Sequence, residues 1–374
     1  MTKWEKLSHL EHVLRRPDSY VGSTKPDIES SWILDTCGKK FVKADLTYPP
    51  ALLKIFDEIL VNSLDQHAMD PIATTKIDVV VDMEKGSISI TNNGMAIPIV
   101  MHEKEKVYVP QLIFGTLLTS SNYDDTEERI TGGRNGYGAK LTNIYSSSFS
   151  LSVKDPQNRK KMNWNWENNM QLCGGQASPT SYSGKDGETS VCFVPDWKRF
   201  GMSGMTHDMF KLIQKRVWDT AVCQHGNLRV TFQGERIPVK KLLEYAHMHE
   251  GVEDAVAHSC DRWDVVVAAS NYSGFQQVSF VNGICTTKGG THVDSIASAL
   301  SKDIIAELVK KKVDGASKLR PANVKATMFM FARSTIINPS FSSQIKSECT
   351  TKASDFGSSF TYPTKFIGGV LDTG

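Results

Sequence analysis

The clearest hydrophobic period in the chain runs over residues 51–68. Leu52, Ile55, Phe56, Ile59 and Leu60 recur at helical spacing, and at about 100° per residue they share one buried stripe. Pro49-Pro50 just before them marks a helix start. Glu58, Asn62 and Asp65, at i, i+4 and i+7, form a polar row beside that stripe. Elsewhere the periods are shorter. Residues 4–16 predict a short helix stopped near Pro17, and 45–50 a connector. Residues 77–82 and 87–92 alternate or run β-branched around Lys85-Gly86, which predicts a hairpin. Residues 109–118 predict a short apolar helix. Residues 119–138 are rich in Ser, Thr, Asn, Asp and Gly, the composition of a long functional loop. Residues 139–235 predict mostly strands, with a helix at about 207–222. The polar stretch 247–261 reads as a joint. Beyond it, 263–269 and 276–281 predict strands, 292–312 a long helix, 324–332 a strand and 334–374 turns. There is no internal repeat. This order predicts an α+β protein of two α/β sandwich-like domains, 1–258 and 259–374.

Composition narrows the class. The 374 residues are 40% hydrophobic and 22% charged, which suits a globular protein and excludes disorder as the main state. No window approaches the roughly 18 apolar residues of a membrane span, and Met1 to Lys6 has neither signal-peptide nor transit-peptide character. The expectation is a soluble intracellular protein with no membrane partner. Lys plus Arg is 43 against 41 for Asp plus Glu, a formal charge of +2, which taken alone argues against a dedicated nucleic-acid-binding domain. The seven cysteines are scattered, without a C-x-x-C, and read as reduced thiols. His247, His249, Glu250 and His258 match no metal-ligand spacing and read as a polar surface connector.

Three segments could carry chemistry, and each has a plainer reading. Glu58 and Asn62 on one helix edge suit a base plus a metal ligand, or a solvated edge. Asn92-Asn93-Gly94 at a strand end is a common turn, or an amide held to read the edge of a base. Gly132-Gly133-Arg134-Asn135-Gly136-Tyr137-Gly138-Ala139-Lys140 carries four glycines in seven residues. Such a run can turn backbone N–H groups toward phosphate oxygens ahead of a helix N-terminus, or simply be a mobile loop. It is not a P-loop, because no Ser or Thr follows Lys140, and it lacks the G-x-G-x-x-G spacing. Lys310-Lys311-Lys312 suits a solvated helix end or a contact to phosphates.

Taken in order, these segments resemble the GHKL ATPases. Residues 56–62 (FDEILVN), 108–110 (YVP), 117–125 (LLTSSNYDD), 131–140 (TGGRNGYGAK), 276–282 (QQVSFVN) and 288–293 (KGGTHV) resemble, more closely, the N-terminal ATPase and transducer region of eukaryotic-type (type IIA) DNA topoisomerase II. The resemblance spans residues 4 to about 350. It implies a Bergerat-type α/β sandwich followed by a ribosomal-S5-domain-2-like transducer domain, truncated at its C-terminus. It implies ATP and Mg²⁺ as ligands. Glu58 would be the general base for water, Asn62 the metal ligand and Asn92 the adenine reader, with Ile97 and Phe114 lining the base pocket. Ser120, Ser121 and Asn122 would hold ribose and phosphates. Gly133, Arg134, Asn135, Gly136, Tyr137, Gly138, Ala139 and Lys140 would form the lid. Gln344-Ile345-Lys346 would match the family's Gln-Thr-Lys loop, with Lys346 on the γ-phosphate. Lys310, Lys311 and Lys312 would match its DNA-contacting loop. The implied partners are a second copy, joined through an ATP-dependent gate, and a double-stranded DNA segment captured by it. Nuclear use is the family default, with mitochondrial or viral use as alternatives. The sequence departs from the family at Ala96 (usually Gly), Ile345 (usually Thr) and Trp4 (often Tyr). These departures give a foothold to a rival, a module that holds nucleotide without turning it over. The absence of any segment assignable to DNA cleavage leads to the expectation of a fragment.

Overall fold

The structure, a computed structural model, describes residues 4–117, 119, 128, 130–132, 136–223 and 226–373. Helix α1 (His9–Arg15) opens on a Ser8/Glu11 capping box. Strands β1 (Asp27–Leu34) and β2 (Phe41–Tyr48) form an antiparallel hairpin. Helix α2 (Pro50–Met69) follows, with Pro at its first turn, where a missing N–H costs nothing. Strands β3 (Lys76–Asp82) and β4 (Ser87–Asn93) pair across a turn held by Asp82, which accepts from the Glu84 and Lys85 amides. Helices α3 (Val109–Gly115) and α4 (Gly138–Ile144) flank the glycine-rich segment. Then come β5 (Ser146–Asp155), β6 (Lys160–Glu167), β7 (Leu172–Gly175), β8 (Thr180–Ser181) and β9 (Glu188–Pro195). Helix α5 (His207–Val222), capped by Thr206, leads to β10 (Arg229–Phe232), β11 (Glu235–Arg236) and helix α6 (Leu242–His247). The remaining elements are β12 (Ala255–Cys260), β13 (Trp263–Ala269), β14 (Gln276–Val281), β15 (Ile284–Cys285), α7 (Thr291–Lys310), α8 (Pro321–Ala326), β16 (Met328–Ser334) and α9 (Thr364–Asp372).

Among the described residues the strands make three sheets. Beside the β1–β2 pair, a nine-stranded sheet runs β11-β10-β3-β4-β9-β5-β6-β7 with β8 attached to β6, and a five-stranded sheet runs β12-β13-β16-β14-β15. On the large sheet, Val79, Ile88, Ile90, Phe149, Leu151, Val191 and Phe193 point inward and are buried. They alternate with Ser89, Thr91, Ser150, Ser152 and Ser190 on the outer face, as a half-buried antiparallel sheet requires. Helices α2, α4 and α5 pack on the inner side. The five-stranded sheet is buried on both faces. Val266, Ala268, Phe280, Phe329 and Phe331 join the core of the larger sheet, whereas Val265, Val267, Met330 and Ala332 join a second core with α7 and α9. One continuous interior thus runs from the large sheet to the near face of the small one.

Several elements differ from the sequence expectation. Residues 45–48 belong to β2, whose outward Lys43 and Asp45 mask its alternation. Residues 324–326 are helical, because Pro321 starts α8 and the strand begins only at Met328. The turn-rich tail contains α9, whose Gly368-Gly369 pair hides its period; Gly369 lies where a Cβ would approach Val256 to 3.2 Å. The small sheet starts at Ala255, so position 258 falls within its first strand. His249 is wholly buried rather than on a polar connector. It stacks on Phe41 and meets Phe331 edge-on, with Nδ1 on the Tyr245 carbonyl at 2.9 Å, and burial pushes its pKa down to about 3. No cluster of His, Cys, Asp and Glu suited to a metal occurs among the described residues. No described helix is long and apolar enough to cross a membrane.

Candidate functional site

Helix α2 has two edges with different fates. Its apolar stripe is buried in the core, and the polar row Glu58, Asn62, Asp65 faces a cavity of about 610 Å³. Lys54, one turn before Glu58, extends that row. Its ammonium contacts Glu58 Oε1, and the two side chains are only 4% and 6% exposed. Burial opposes the charge of Glu58, but the ammonium groups of Lys54 and Lys346 outweigh it and hold the carboxyl below its ordinary value.

Lys346 comes from a different part of the chain, the loop after β16. Its backbone sits in the left-handed region at φ 63° and its amide closes a turn on the Ser343 carbonyl at 3.0 Å. An L-residue held there costs roughly 1–2 kcal/mol, so the loop spends stability to aim this side chain. Nζ donates to the Gly132 carbonyl at 3.0 Å. The amide of the same Gly132 donates to Asp65 Oδ1 at 2.7 Å. The start of the glycine-rich segment is thus clamped between α2 and the Lys346 loop. Burial lowers the Lys346 pKa, and the Glu58 carboxylate offsets only part of that.

The glycines are demanded by close approach. A Cβ at Gly132 would lie 2.9 Å from Val61 Cγ1 and 3.1 Å from Ile284 Cδ1, and a Cβ at Gly138 would collide with Glu58 Oε2. Lys140, next along α4, is 3% exposed. Its Nζ donates to the Thr119 carbonyl at 2.7 Å and the Gly136 carbonyl at 2.6 Å. Burial lowers its pKa to about 8.

The far end of the cavity is apolar, lined by Ile90, Ile97, Leu112, Ile113, Phe114 and Val191. Asn92 stands at its edge on β4. Its Oδ1 accepts from Ser63 Oγ at 3.2 Å and its Nδ2 donates to the Asn93 carbonyl at 3.1 Å, which fixes the amide orientation. Ala96 keeps a negative φ, so its methyl group meets no backbone penalty. The cavity therefore offers apolar walls together with buried cations beside a carboxylate.

One cavity gathers Glu58, Asn62, Asn92, Ile97, Phe114, Gly136, Tyr137, Gly138, Ala139, Lys140, Gln344 and Lys346. Ser120, Ser121, Asn122, Gly133, Arg134 and Asn135 lie outside the described residues. Ile345 turns away from the cavity onto Gly22, where a Cβ would come within 2.6 Å of its Cδ1. Trp4 is 90% exposed. Lys310, Lys311 and Lys312 are exposed at the C-terminal end of α7 and do not line the cavity. Sequence reasoning passed over Lys54, although a lysine four residues before Glu58 inside an apolar run was a legible signal. The clamp on Gly132 had none, since both its bonds use a backbone group.

Comparison with known proteins follows the same lines. A profile described as DNA gyrase B matches residues 235–362. The chain is 42% identical to DNA topoisomerase 2 of Penicillium chrysogenum over 99% of its own length and 24% of that protein. It is 40% identical to the Saccharomyces cerevisiae enzyme over 99% of its own length and 27% of that one. It thus spans about a quarter of the curated relatives. Among solved structures, the ATPase region of S. cerevisiae topoisomerase II superposes with a TM-score of 0.92 at 39% identity, over 99% of this chain and 96% of that one. The ATPase and transducer domains of the Balamuthia mandrillaris enzyme superpose at 0.94 and 38% identity, over 100% and 96%. The 43K ATPase domain of Thermus thermophilus gyrase B shares the fold, at a TM-score of 0.60 and 19% identity, over 97% of this chain and 87% of that one. With such identity over nearly the whole of both chains, this chain belongs to the DNA topoisomerase II family and corresponds to its ATPase region.

Proposed function

We propose that this region binds and hydrolyses Mg-ATP, and that ATP binding joins two copies into a gate that captures a DNA duplex. The observation that carries the reading is the meeting of Glu58, from α2, and Lys346, from the loop after β16, at one cavity. A carboxylate kept ionised by two ammonium groups suits orienting and deprotonating water. Phosphoryl transfer depends mainly on such alignment and on charge placed around the phosphoryl oxygens. Lys346 supplies that charge at the γ-phosphate, and Lys140 supplies it along the triphosphate. Asn92, Ile97 and Phe114 hold the base.

The donor set fits Mg²⁺ brought in with the nucleotide. The Asn62 carboxamide bonds to no protein group among the described residues. It offers one hard oxygen, while no carboxylate cage competes among the described residues. Mg²⁺ commonly takes one or two protein ligands and fills its shell with phosphate oxygens and water. The ion would neutralise phosphate charge.

Because Lys346 reaches the cavity from the far sheet, nucleotide occupancy shifts the balance between arrangements of the two sheets. Lys310, Lys311 and Lys312, exposed at one helix end, form the local basic strip that touches DNA, and the nucleus is the compartment proposed for that work. The decisive experiment measures Mg-ATP turnover and analogue binding for Glu58→Gln. Turnover falls by at least ~10²-fold while ATP still binds, as loss of a positioned base predicts. Equal rates would sink the role of Glu58.

A further inference from the structure

Helix α5 and the five-stranded sheet exchange arginines. Arg216, from α5, sends Nε to Asp57 Oδ1 at 2.5 Å and Nη2 to the Gly283 carbonyl at 2.8 Å. Arg333, from β16, sends Nε to Asp264 Oδ2 at 2.6 Å and Nη1 to the Val222 carbonyl, at the end of α5, at 2.8 Å. Each arginine is neutralised by a carboxylate and reaches a main-chain oxygen on the other body. In each case two different nitrogens of one planar fork meet the two acceptors, a fixed geometry that the single nitrogen of an ammonium does not reproduce.

The two arms differ in what they hold. Asp264 lies on β13, so the Arg333 bonds to Asp264 and Val222 join α5 to the sheet and do not involve α2. Asp57 lies on α2 and immediately precedes Glu58, so the Arg216 arm also reaches the helix of the base. At its other end, Asn282-Gly283 forms the tight turn between β14 and β15, both residues with positive φ. The Asn282 side chain is locked to Ile336, with Nδ2 on the Ile336 carbonyl and Oδ1 on its amide, both at 2.8 Å. Ile336 opens the segment that leads to Lys346. A short chain of bonds therefore runs from Asp57 through Arg216, Gly283 and Asn282 to the root of the Lys346 loop.

We propose that Arg216 is a positioning residue for ATP hydrolysis, which holds the Glu58 helix in register with the segment carrying Lys346. The inference rests on Glu58 acting as the base. Arg216 does not line the cavity; it acts through Asp57 and Gly283. A lysine at this position keeps the charge but loses the rigid pair of nitrogens that meets Asp57 and the Gly283 carbonyl separately.

The test compares Arg216→Lys, Asp57→Asn, their double variant and Arg333→Lys, each for kcat, affinity for a non-hydrolysable ATP analogue and thermal midpoint. Arg216→Lys and Asp57→Asn are expected to lower kcat by about tenfold or more, since a small misplacement of reacting groups is costly. Analogue affinity stays within about threefold, and the double variant is little worse than the worse single one, as two residues joined in one ion pair require. Arg333→Lys loosens the same interface yet leaves kcat within about threefold. A kcat loss in Arg333→Lys equal to that in Arg216→Lys, at equal loss of thermal midpoint, would show a merely structural role and overturn the proposal. Wild-type kcat in Arg216→Lys while Glu58→Gln is inactive overturns it alone. Wild-type kcat in Glu58→Gln overturns the reading beneath it.

Discussion

Lys140 on α4 and Lys215 on α5 are both largely withdrawn from water on helices that pack on α2, yet they are held in opposite ways. Lys215 lies 2.8 Å from Asp219 Oδ2, and Asp219 Oδ1 accepts from the Tyr245 hydroxyl. Burial alone would lower the Lys215 pKa, but Asp219 leaves it raised. Lys140 is met by two carbonyls, and burial takes its pKa down to about 8. The first centre is closed, with every charge answered. The second keeps a cation answered, among the described residues, by two carbonyl dipoles beside a cavity. Such a charge is tolerable where an anion arrives to share it, and that contrast separates a structural charge cluster from a binding site more sharply than burial does.

The largest effect should come from opening the closed centre. Asp219→Asn leaves Lys215 buried without its carboxylate. It should lower folding stability by about 3 kcal/mol, the low end for a broken buried pair, because Lys215 keeps 14% of its side chain exposed. Chemical denaturation reads this, and nucleotide affinity of the folded protein stays unchanged. Lys140→Met should do the reverse. By titration calorimetry, affinity for an ATP analogue falls by about 10²-fold, the scale of lost charge-assisted bonds. Stability holds or rises, since an unpaired buried charge is removed.

Next comes pH. In the free protein Lys140 loses its proton as pH rises through about 8, whereas a bound phosphate keeps it protonated. Analogue affinity should therefore weaken above pH 8, by up to about tenfold per unit, with proton uptake on binding. Lys140→Arg should flatten that slope; an unchanged slope would remove Lys140 from the phosphate site. The stability signs also oppose. A lowered lysine pKa costs the fold stability below about pH 8, a cost relieved as pH climbs toward the ordinary lysine value. The raised pKa of Lys215 stabilises up to the ordinary value and fades as pH passes its folded one. The smallest effect concerns DNA. Neutralising Lys310, Lys311 and Lys312 should weaken binding only modestly and flatten its salt dependence by about 0.9 for each phosphate that these lysines neutralise.

The contrast also explains what the sequence made legible. Glu58, Asn62 and Asp65 could be read because α2 carries an uninterrupted period, so side-chain direction followed from spacing alone. Asn92, Gly132 and Gly138 could be singled out because a strand-end turn and a glycine run are short-range patterns. Lys346 could be placed only through resemblance, since no local pattern says that residue 346 meets residue 132. Arg216 and Arg333 were invisible for the same reason: their partners lie 159 and 69 positions away. Strand β2 and helix α9 were lost where charged outward residues or paired glycines blurred the period. His249 was misjudged because its polar neighbours in sequence are not its aromatic neighbours in space.

Gly138 has a wider meaning than a tight fit. Its Cα rests against the Glu58 carboxylate with no room for one more carbon, so the two share a single allotted volume. Seating of α4 thereby works as a gauge on the side chain it covers: a carboxylate displaced toward the helix props it off, and one in place lets it down. Residue 138 therefore admits no larger side chain while Glu58 keeps its place against the buried Lys54 ammonium.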